Sequence, residues 1–186
     1  MKRDNVRVWT DGPVGRIVLN RPAVLNALDY LTVVELGSAV RELTGLTRVL
    51  VIQGAGNHFC AGADLGYLAG GLSPQAIQEF IEQINRAFFS IQDAAIPVLA
   101  AVQGFALAGG FELIQACDIV IVAEDASIGD QHSNFGLIPG GGGSQRLPRL
   151  VGRQRALSLL LTGERLSGKQ AVEWGLAYRA VPAERG

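Results

Sequence analysis

One carboxylate stands out in this sequence because it interrupts an almost wholly apolar run. The run covers residues 97–123, and Glu112 follows the glycine pair Gly109-Gly110 after one intervening residue. This order predicts a strand, a turn and a short helix whose first backbone N–H groups are exposed. Such groups stabilise negative charge, and glycine lets a ligand approach the backbone closely. A carboxylate beside them could move a proton while the amides hold an enolate.

Two other interpretations of this run compete with the chemical one. Glutamate in the first turn of a helix is favoured by the helix dipole alone, so Glu112 could simply be solvated there. The run is also long enough to cross a membrane, but Pro97, Gln103 and Asp118 interrupt it, and charges are costly at membrane depth. A second glycine-rich loop of the same character, "FCAGADL" at 59–65, also follows a predicted strand. This repetition favours the chemical interpretation.

The composition fits one domain with a substantial core and excludes several classes of protein. The chain has 186 residues, and its 16 basic and 17 acidic side chains give a net charge of −1. No basic patch suggests a nucleic-acid partner. The two cysteines, Cys60 and Cys117, have no disulfide or metal-site spacing, so a reducing cytoplasm is the expected location. The first residues lack an apolar signal core.

Strands and helices alternate along the chain, which predicts the α/β class. A hairpin turns at Asp11-Gly12, a helix capped by Asn26 follows, and Ser73-Pro74 opens a helix with an apolar stripe. A capping box from Ser167 to Gln170 starts the last predicted helix. Strands are predicted at 48–54, 97–104, 118–124 and 176–182, and a long irregular segment with a helix near its end at 127–152.

Four motifs in the same order resemble the enoyl-CoA hydratase/isomerase family, also called the crotonase family. They are "NRPAVLNAL", "FCAGADL", "AAVQGFALAGGFELIQACDIVIVAEDASIG" and "FGLIPGGGGSQRLPRLVG". The resemblance spans nearly the whole chain and implies a single domain over 1–186 with a repeated ββα spiral. It further implies acyl-CoA thioester substrates without a separate cofactor or metal, an oxyanion hole, and homotrimers or dimers of trimers.

The family's functional positions fall on specific residues here. The resemblance implies that the backbone N–H groups of Ala63 and Gly109 form the oxyanion hole, and that Glu112 is the first of two catalytic glutamates. It also implies a set of residues along the CoA and pantetheine channel: Ala27, Leu28, Ala61, Gly62, Asp64 and Leu65.

The sequence departs from the family pattern in two respects. The place of the second glutamate is taken by His132, which can transfer protons near neutral pH or can be only a polar loop residue. Asp130, two residues earlier, is a further carboxylate whose direction the sequence leaves open. The family also continues beyond "AYRAVP" with helices that cover the acyl site, so the resemblance implies that most of this helical part is missing.

These features predict an enoyl-CoA hydratase that adds water to a 2-enoyl thioester. Alternatives within the same fold are a double-bond isomerase, a thioester hydrolase or a decarboxylase. A further alternative is a degenerate member that binds acyl-CoA without turning it over. The pair His58 and Cys60 could suggest a thiol nucleophile, but a small buried cysteine is the favoured interpretation. Arg146, Arg149 and Arg153 are interpreted as solvated helix surface, with CoA phosphate contacts as the alternative.

Overall fold

The computed structural model describes residues 3–183, and these residues form two β-sheets flanked by helices. The strands are β1 (Val6–Asp11), β2 (Val14–Leu19), β3 (Val49–Gly54), β4 (Val98–Val102), β5 (Phe105–Leu107), β6 (Ile119–Ala123), β7 (Ser127–Gly129), β8 (Leu166–Ser167) and β9 (Arg179–Val181). The helices are α1 (Tyr30–Thr44), α2 (Leu65–Ala69), α3 (Pro74–Gln92), α4 (Gly109–Ile114), α5 (Gly143–Val151), α6 (Arg153–Thr162) and α7 (Gly168–Glu173).

The larger sheet has six strands in the order β1-β2-β3-β4-β6-β9. Strands β1 and β2 form the predicted antiparallel hairpin, and the turn uses Gly12 at a φ of +55°. From β2 onward the neighbouring strands are parallel. Parallel strands covered on both faces are apolar throughout, which is why "VLVIQG" and "VLAAV" are recognisable in the sequence. These strands end in the loops that build the site.

The smaller sheet was not predicted from the sequence. Its order is β5-β7-β8, with β5 and β7 parallel and β7 and β8 antiparallel. The prediction of an irregular segment over 127–152 is therefore wrong at its start, where β7 and a 3₁₀ turn at His132–Phe135 lie. Strands of two or three residues are too short to show a period in sequence. The glycine-rich loop after β3 likewise contains the short helix α2.

Two helix starts agree with the sequence and one does not. Ser73 caps α3 and Ser167 completes the capping box of α7, as predicted. Helix α1, however, is capped by Asp29, whose carboxylate accepts the Thr32 N–H at 2.8 Å. Asn26 was the wrong cap: it lies in a left-handed turn at a φ of +55°, and its buried amide bonds the backbone of neighbouring loops.

One hydrophobic core joins the larger sheet to α1, α3 and α4. Its largest fully buried side chains include Phe59, Phe80, Phe88 and Phe111. On the far side of α1, buried Glu35 accepts the backbone N–H groups of residues 4–6 and so anchors the first strand. Within residues 3–183 no helix is both long enough and apolar enough to cross a membrane.

Candidate active site

The two glycine-rich loops meet beside the first turn of α4. The segment around Cys60 pairs with β5, because Cys60 donates its N–H to Phe105 and accepts that of Leu107. A methyl group on Gly110 would lie 2.2 Å from the carbonyl oxygen of Cys60. Glycine is required at 110 because α4 begins in direct contact with the first loop. The loops predicted to act together are therefore packed against each other.

The N–H groups of Ala63 and Gly109 come together at this contact. Ala63 pairs with Leu28 in a parallel β-bridge. The two hydrogen bonds of this bridge join Leu28 to the residues on either side of Ala63, not to Ala63 itself. Its own N–H therefore faces the opposite side. A methyl group on Gly109 would lie 3.5 Å from the Ala63 nitrogen. Within the part of the chain that the structure describes, neither N–H donates to a protein acceptor. The geometry fits two amide donors that can share one anion.

The backbone around these amides is held in unusual conformations. Ala108, the residue before α4, has a φ of +47°, and Gly62 has a φ of +106°. A side chain at 62 would also lie 2.8 Å from the Ala108 side chain. Positive φ at a non-glycine residue costs roughly 1–3 kcal/mol and persists only where packing enforces it. The contact of Gly62 with Ala108 and the Gly109 nitrogen is part of the packing around this conformation.

Glu112 lies in the first turn of α4 and is 2% exposed, so it is not a solvated cap residue. Its Oε1 atom accepts the Gly143 N–H at 2.7 Å. Methyl groups on Gly141 or Gly143 would lie 2.9 Å from Glu112 atoms, so the "GGGG" segment lets the backbone of the α5 start enclose this carboxylate. Burial raises the pKa of Glu112, although the Gly143 N–H and the charge of His132 oppose the rise.

His132 lies opposite Glu112, with Nε2 at 3.8 Å from Glu112 Oε2. Its other ring nitrogen, Nδ1, is 3.1 and 3.0 Å from the two carboxylate oxygens of Asp130. Burial alone would lower the pKa of His132, but the hydrogen bond to Asp130 and the charges of Asp130 and Glu112 raise it above its usual value. The imidazole therefore stands between two buried carboxylates.

A cavity of about 520 Å³ opens beside this cluster. Its lining includes six of the ten predicted site residues: Ala27, Ala61, Ala63, Asp64, Leu65 and His132. The other four, Leu28, Gly62, Gly109 and Glu112, lie next to residues of the lining without being part of it. Leu28 is fully buried in the core beneath the Gly109 backbone. The structure thus brings the ten predicted residues together at this cavity.

Asp64 has a structural task in addition to its place in the cavity wall. Its carboxylate caps α2 by accepting the Tyr67 N–H at 3.1 Å and pairs with Arg21 at 2.9 Å. Burial would raise the pKa of Asp64, but these two partners lower it. Arg21 also pairs with Asp29, the α1 cap, at 3.2 Å. One arginine therefore joins the starts of two helices at the cavity edge.

Sequence reasoning missed several residues of the site. Gln131, Asn134 and Arg165 line the cavity, and Arg165 donates to Gln131 at 3.0 and 3.1 Å. No sequence pattern links positions 131 and 165, because the approach of β8 to β7 creates their contact. Arg149 and Arg153 are exposed as predicted. Arg146 is not: it is half-buried and holds the Gly141 carbonyl at 2.6 Å.

The thiol alternative has no support in the geometry. Cys60 is fully buried, and burial raises its pKa to about 12, so the thiolate is not available near neutral pH. His58 stacks on Phe105, and its Nδ1 atom accepts the Phe105 N–H at 3.2 Å. Among residues 3–183, no group of three or more His, Cys, Asp or Glu side chains is arranged to hold a metal ion.

This chain is similar to a family model and to several known proteins. A family model described as enoyl-CoA hydratase/isomerase matches residues 10–185. A Rhizobium meliloti protein named "Probable enoyl-CoA hydratase" is 37% identical and aligns with 100% of this chain and 72% of its own length. The crotonyl-CoA hydratase of Syntrophomonas wolfei is 36% identical, with 99% and 72% covered.

A solved structure agrees with these matches. The crystal structure of an enoyl-CoA hydratase from Bacillus anthracis superposes with a TM-score of 0.91 at 39% identity. The superposition covers 96% of this chain and 70% of that one. The resemblance and the fold class predicted from the four motifs are confirmed. The chain belongs to the enoyl-CoA hydratase/isomerase family.

Proposed function

We propose that this chain is an enoyl-CoA hydratase that adds water across the double bond of a 2-enoyl-CoA thioester. The observation that carries the proposal is the convergence of the free Ala63 and Gly109 N–H groups with the Glu112–His132 pair beside one cavity. An amide pair of this kind stabilises the negative charge that develops on a thioester oxygen. The carboxylate and the imidazole supply the two proton transfers that hydration requires. Coenzyme A enters as part of the substrate, and no separate cofactor or metal takes part.

The spacing of the proton-transfer pair suits a single water molecule. A water oxygen ~2.8 Å from each of two groups makes ordinary hydrogen bonds, and this is compatible with the 3.8 Å between Glu112 Oε2 and His132 Nε2. Glu112 takes a proton from this water as its oxygen bonds to C3 of the enoyl group. The electrons of the double bond move to the thioester oxygen, which the Ala63 and Gly109 amides stabilise.

The second half of the reaction returns the proton. The His132 imidazolium gives the proton on Nε2 to C2 of the enolate, which completes the 3-hydroxyacyl thioester. Glu112 then holds one proton more and His132 one fewer than at the start. Transfer of that proton from Glu112 to His132 restores both groups for the next turnover.

The remaining predicted residues complete the proposed site. Ala27, Ala61, Asp64 and Leu65 form the wall for the pantetheine arm, while Leu28 and Gly62 hold the backbone beneath it.

The wider organisation of the protein is proposed on the same basis. Residues 1–186 form one domain. Homotrimers or dimers of trimers are proposed from the family resemblance. A cytoplasmic location is proposed because Cys60 and Cys117 are both free thiols.

The direct test is incubation with crotonyl-CoA and longer 2-enoyl-CoA thioesters, followed by mass spectrometry. Gain of one water by the intact thioester supports the proposal. Release of free CoA would instead identify a thioester hydrolase. An isomerised double bond or binding without turnover would identify the isomerase or the non-catalytic binder, and each would overturn hydration. Loss of CO₂ from an added malonyl-type thioester, which carries the carboxylate that 2-enoyl thioesters lack, would identify the decarboxylase.

The oxyanion hole is tested by Gly109→Pro, which removes one N–H donor. Loss of one such donor costs about 10²–10³ in rate. The matched control is Tyr30→Pro, because Tyr30 is likewise the first residue of a helix, where proline is tolerated. Full hydration by a folded Gly109→Pro variant would show that this N–H does not hold the thioester oxygen.

A further inference from the structure

Within residues 3–183, the hydrogen bonds of the Asp130 carboxylate go to one residue, His132. It is 0% exposed. Its Oδ1 atom accepts the backbone N–H of His132 at 2.9 Å. The same oxygen and Oδ2 lie 3.1 and 3.0 Å from Nδ1 of the His132 ring. The carboxylate therefore fixes both the backbone and the ring of His132.

These contacts determine which ring nitrogen carries a proton. An ionised carboxylate can only accept hydrogen bonds, so the nitrogen facing Asp130 must be Nδ1–H. Nε2 is then left facing Glu112 at 3.8 Å, and the His132 side chain contributes to the cavity wall. The nitrogen that remains to exchange a proton is thereby the one that faces Glu112.

The charges around the ring favour its doubly protonated form. Asp130 comes from the turn after β7, and Glu112 comes from α4. On α5, Arg146 interacts with Glu112 and binds the Gly141 carbonyl, while Arg165, before β8, binds the Gln131 amide. The two carboxylates are the charged groups that act on His132 within residues 3–183. Opposite charges within ~4–6 Å favour the cationic imidazolium.

We propose that Asp130 is a positioning residue that holds His132 as an imidazolium, with Nδ1–H on Asp130 and Nε2–H directed towards Glu112 and the cavity. The catalytic consequence rests on the proposed function. It makes His132 the acid that protonates C2 and leaves Glu112 as the base. Asp130 itself does not touch the substrate.

The proposal can be tested by NMR without any substrate. The chain has only two histidines, His58 and His132, so their ring signals are readily assigned from a His58→Gln variant. A pH titration of the ¹⁵N-labelled wild-type chain should give His132 a pKa above the ordinary ~6.5. Its neutral form should carry the proton on Nδ1. A His132 pKa at or below ~6.5, or a neutral form protonated on Nε2, would overturn the proposal whether or not any variant folds.

The Asp130→Asn variant tests the cause. The substitution keeps the shape but removes the charge, and the His132 pKa should fall by at least about one unit. The control Asp11→Asn removes the same charge from the exposed hairpin turn and should leave His132 unchanged. An unchanged His132 titration in folded Asp130→Asn would overturn the proposal.

Kinetics separate this proposal from the proposed function. In Asp130→Asn, kcat for crotonyl-CoA at pH 7 should fall by about 10²-fold with KM nearly unchanged, because the acid is lost and binding is not. A chain that never hydrates crotonyl-CoA but shows the Asp130-dependent shift in His132 would overturn the hydratase assignment and retain the positioning role. A chain that hydrates crotonyl-CoA with an Asp130-independent His132 would do the reverse.

Discussion

At the scale of single residues, the burial of Glu112 predicts that its charge supports activity but does not support stability. Its raised pKa means that the folded state disfavours the ionised carboxylate, mainly through burial. The stabilising contribution of such a group is present below its unfolded pKa and is lost as the pH rises through the folded value. Glu112→Gln has no ionisable group at this position, so the variant does not lose this stability as the pH rises. We therefore expect hydration to fall by ~10²–10⁴-fold, while the free energy of unfolding at pH 7 stays equal to that of wild type or rises above it.

Glu35 offers a matched control for this prediction. It is also a buried glutamate, but it accepts three backbone N–H groups far from the cavity, so Glu35→Gln should lower stability and leave kcat intact. Urea unfolding at pH 4 and pH 7 measures the effect. The free energy of unfolding of Glu112→Gln minus that of wild type should be more positive at pH 7 than at pH 4. Equal hydration by Glu112→Gln and wild type would remove Glu112 from the mechanism.

The buried carboxylates around position 132 predict the outcome of restoring the family's glutamate. His132→Glu alone would place a third carboxylate against Asp130 and Glu112, and like charges at this distance cannot all ionise cheaply. We expect this variant to be less stable and nearly inactive. Adding Asp130→Asn returns the number of carboxylates to two and should recover part of both properties. Thermal melts and crotonyl-CoA assays of the single and double variants form a double-mutant cycle. Purely additive effects would show that positions 130 and 132 do not act together.

At the scale of elements, the start of α5 determines where Glu112 lies. Gly143 donates its N–H to Glu112, and a methyl group there would lie 2.9 Å from Glu112 Cγ. Gly143→Ala should therefore displace the carboxylate, and a misplacement of about 1 Å can cost ~10²-fold in rate. Gly45→Ala is the control, because the nearest atom to its added methyl group is 3.8 Å away. Comparison of kcat in the two folded variants checks this. Equal activity would mean that the α5 turn does not position Glu112.

At the scale of the whole molecule, exposed apolar side chains predict self-association. Phe135 ends the 3₁₀ turn, Leu137 and Ile138 follow it closely, and Ile138 is 85% exposed. Apolar patches of this kind mark interaction surfaces in soluble proteins. We expect sedimentation equilibrium to give an assembly of several copies. A stable monomer with a single cooperative melt would contradict the proposed trimer. Ile138→Lys should weaken the association, whereas Leu46→Lys, at an exposed apolar residue after α1, should not.

The sequence by itself determined the features that depend on local patterning. Apolar runs give the parallel strands, Ser73-Pro74 and Ser167 mark helix starts, and the order of four motifs identifies the family. Such signals involve residues close together in the chain, and therefore they can be read without a structure. The prediction of Asn26 as a helix cap shows the limit of such local signals. Asn and Asp are almost equally good caps, and only the packing of the loops determines that Asp29 caps α1.

Only the tertiary structure decided the chemistry around His132. From the sequence, His132 could be either an acid–base group or only a polar loop residue. The sequence also left open the direction of the Asp130 side chain. The contact of His132 with Glu112 joins positions 20 residues apart, through a short sheet that no periodicity reveals. The same holds for the Ala63 and Gly109 amides, whose approach depends on strained backbone at Ala108. Contacts and pKa values of this kind arise from three-dimensional packing, so residue types can suggest them but only the fold fixes them.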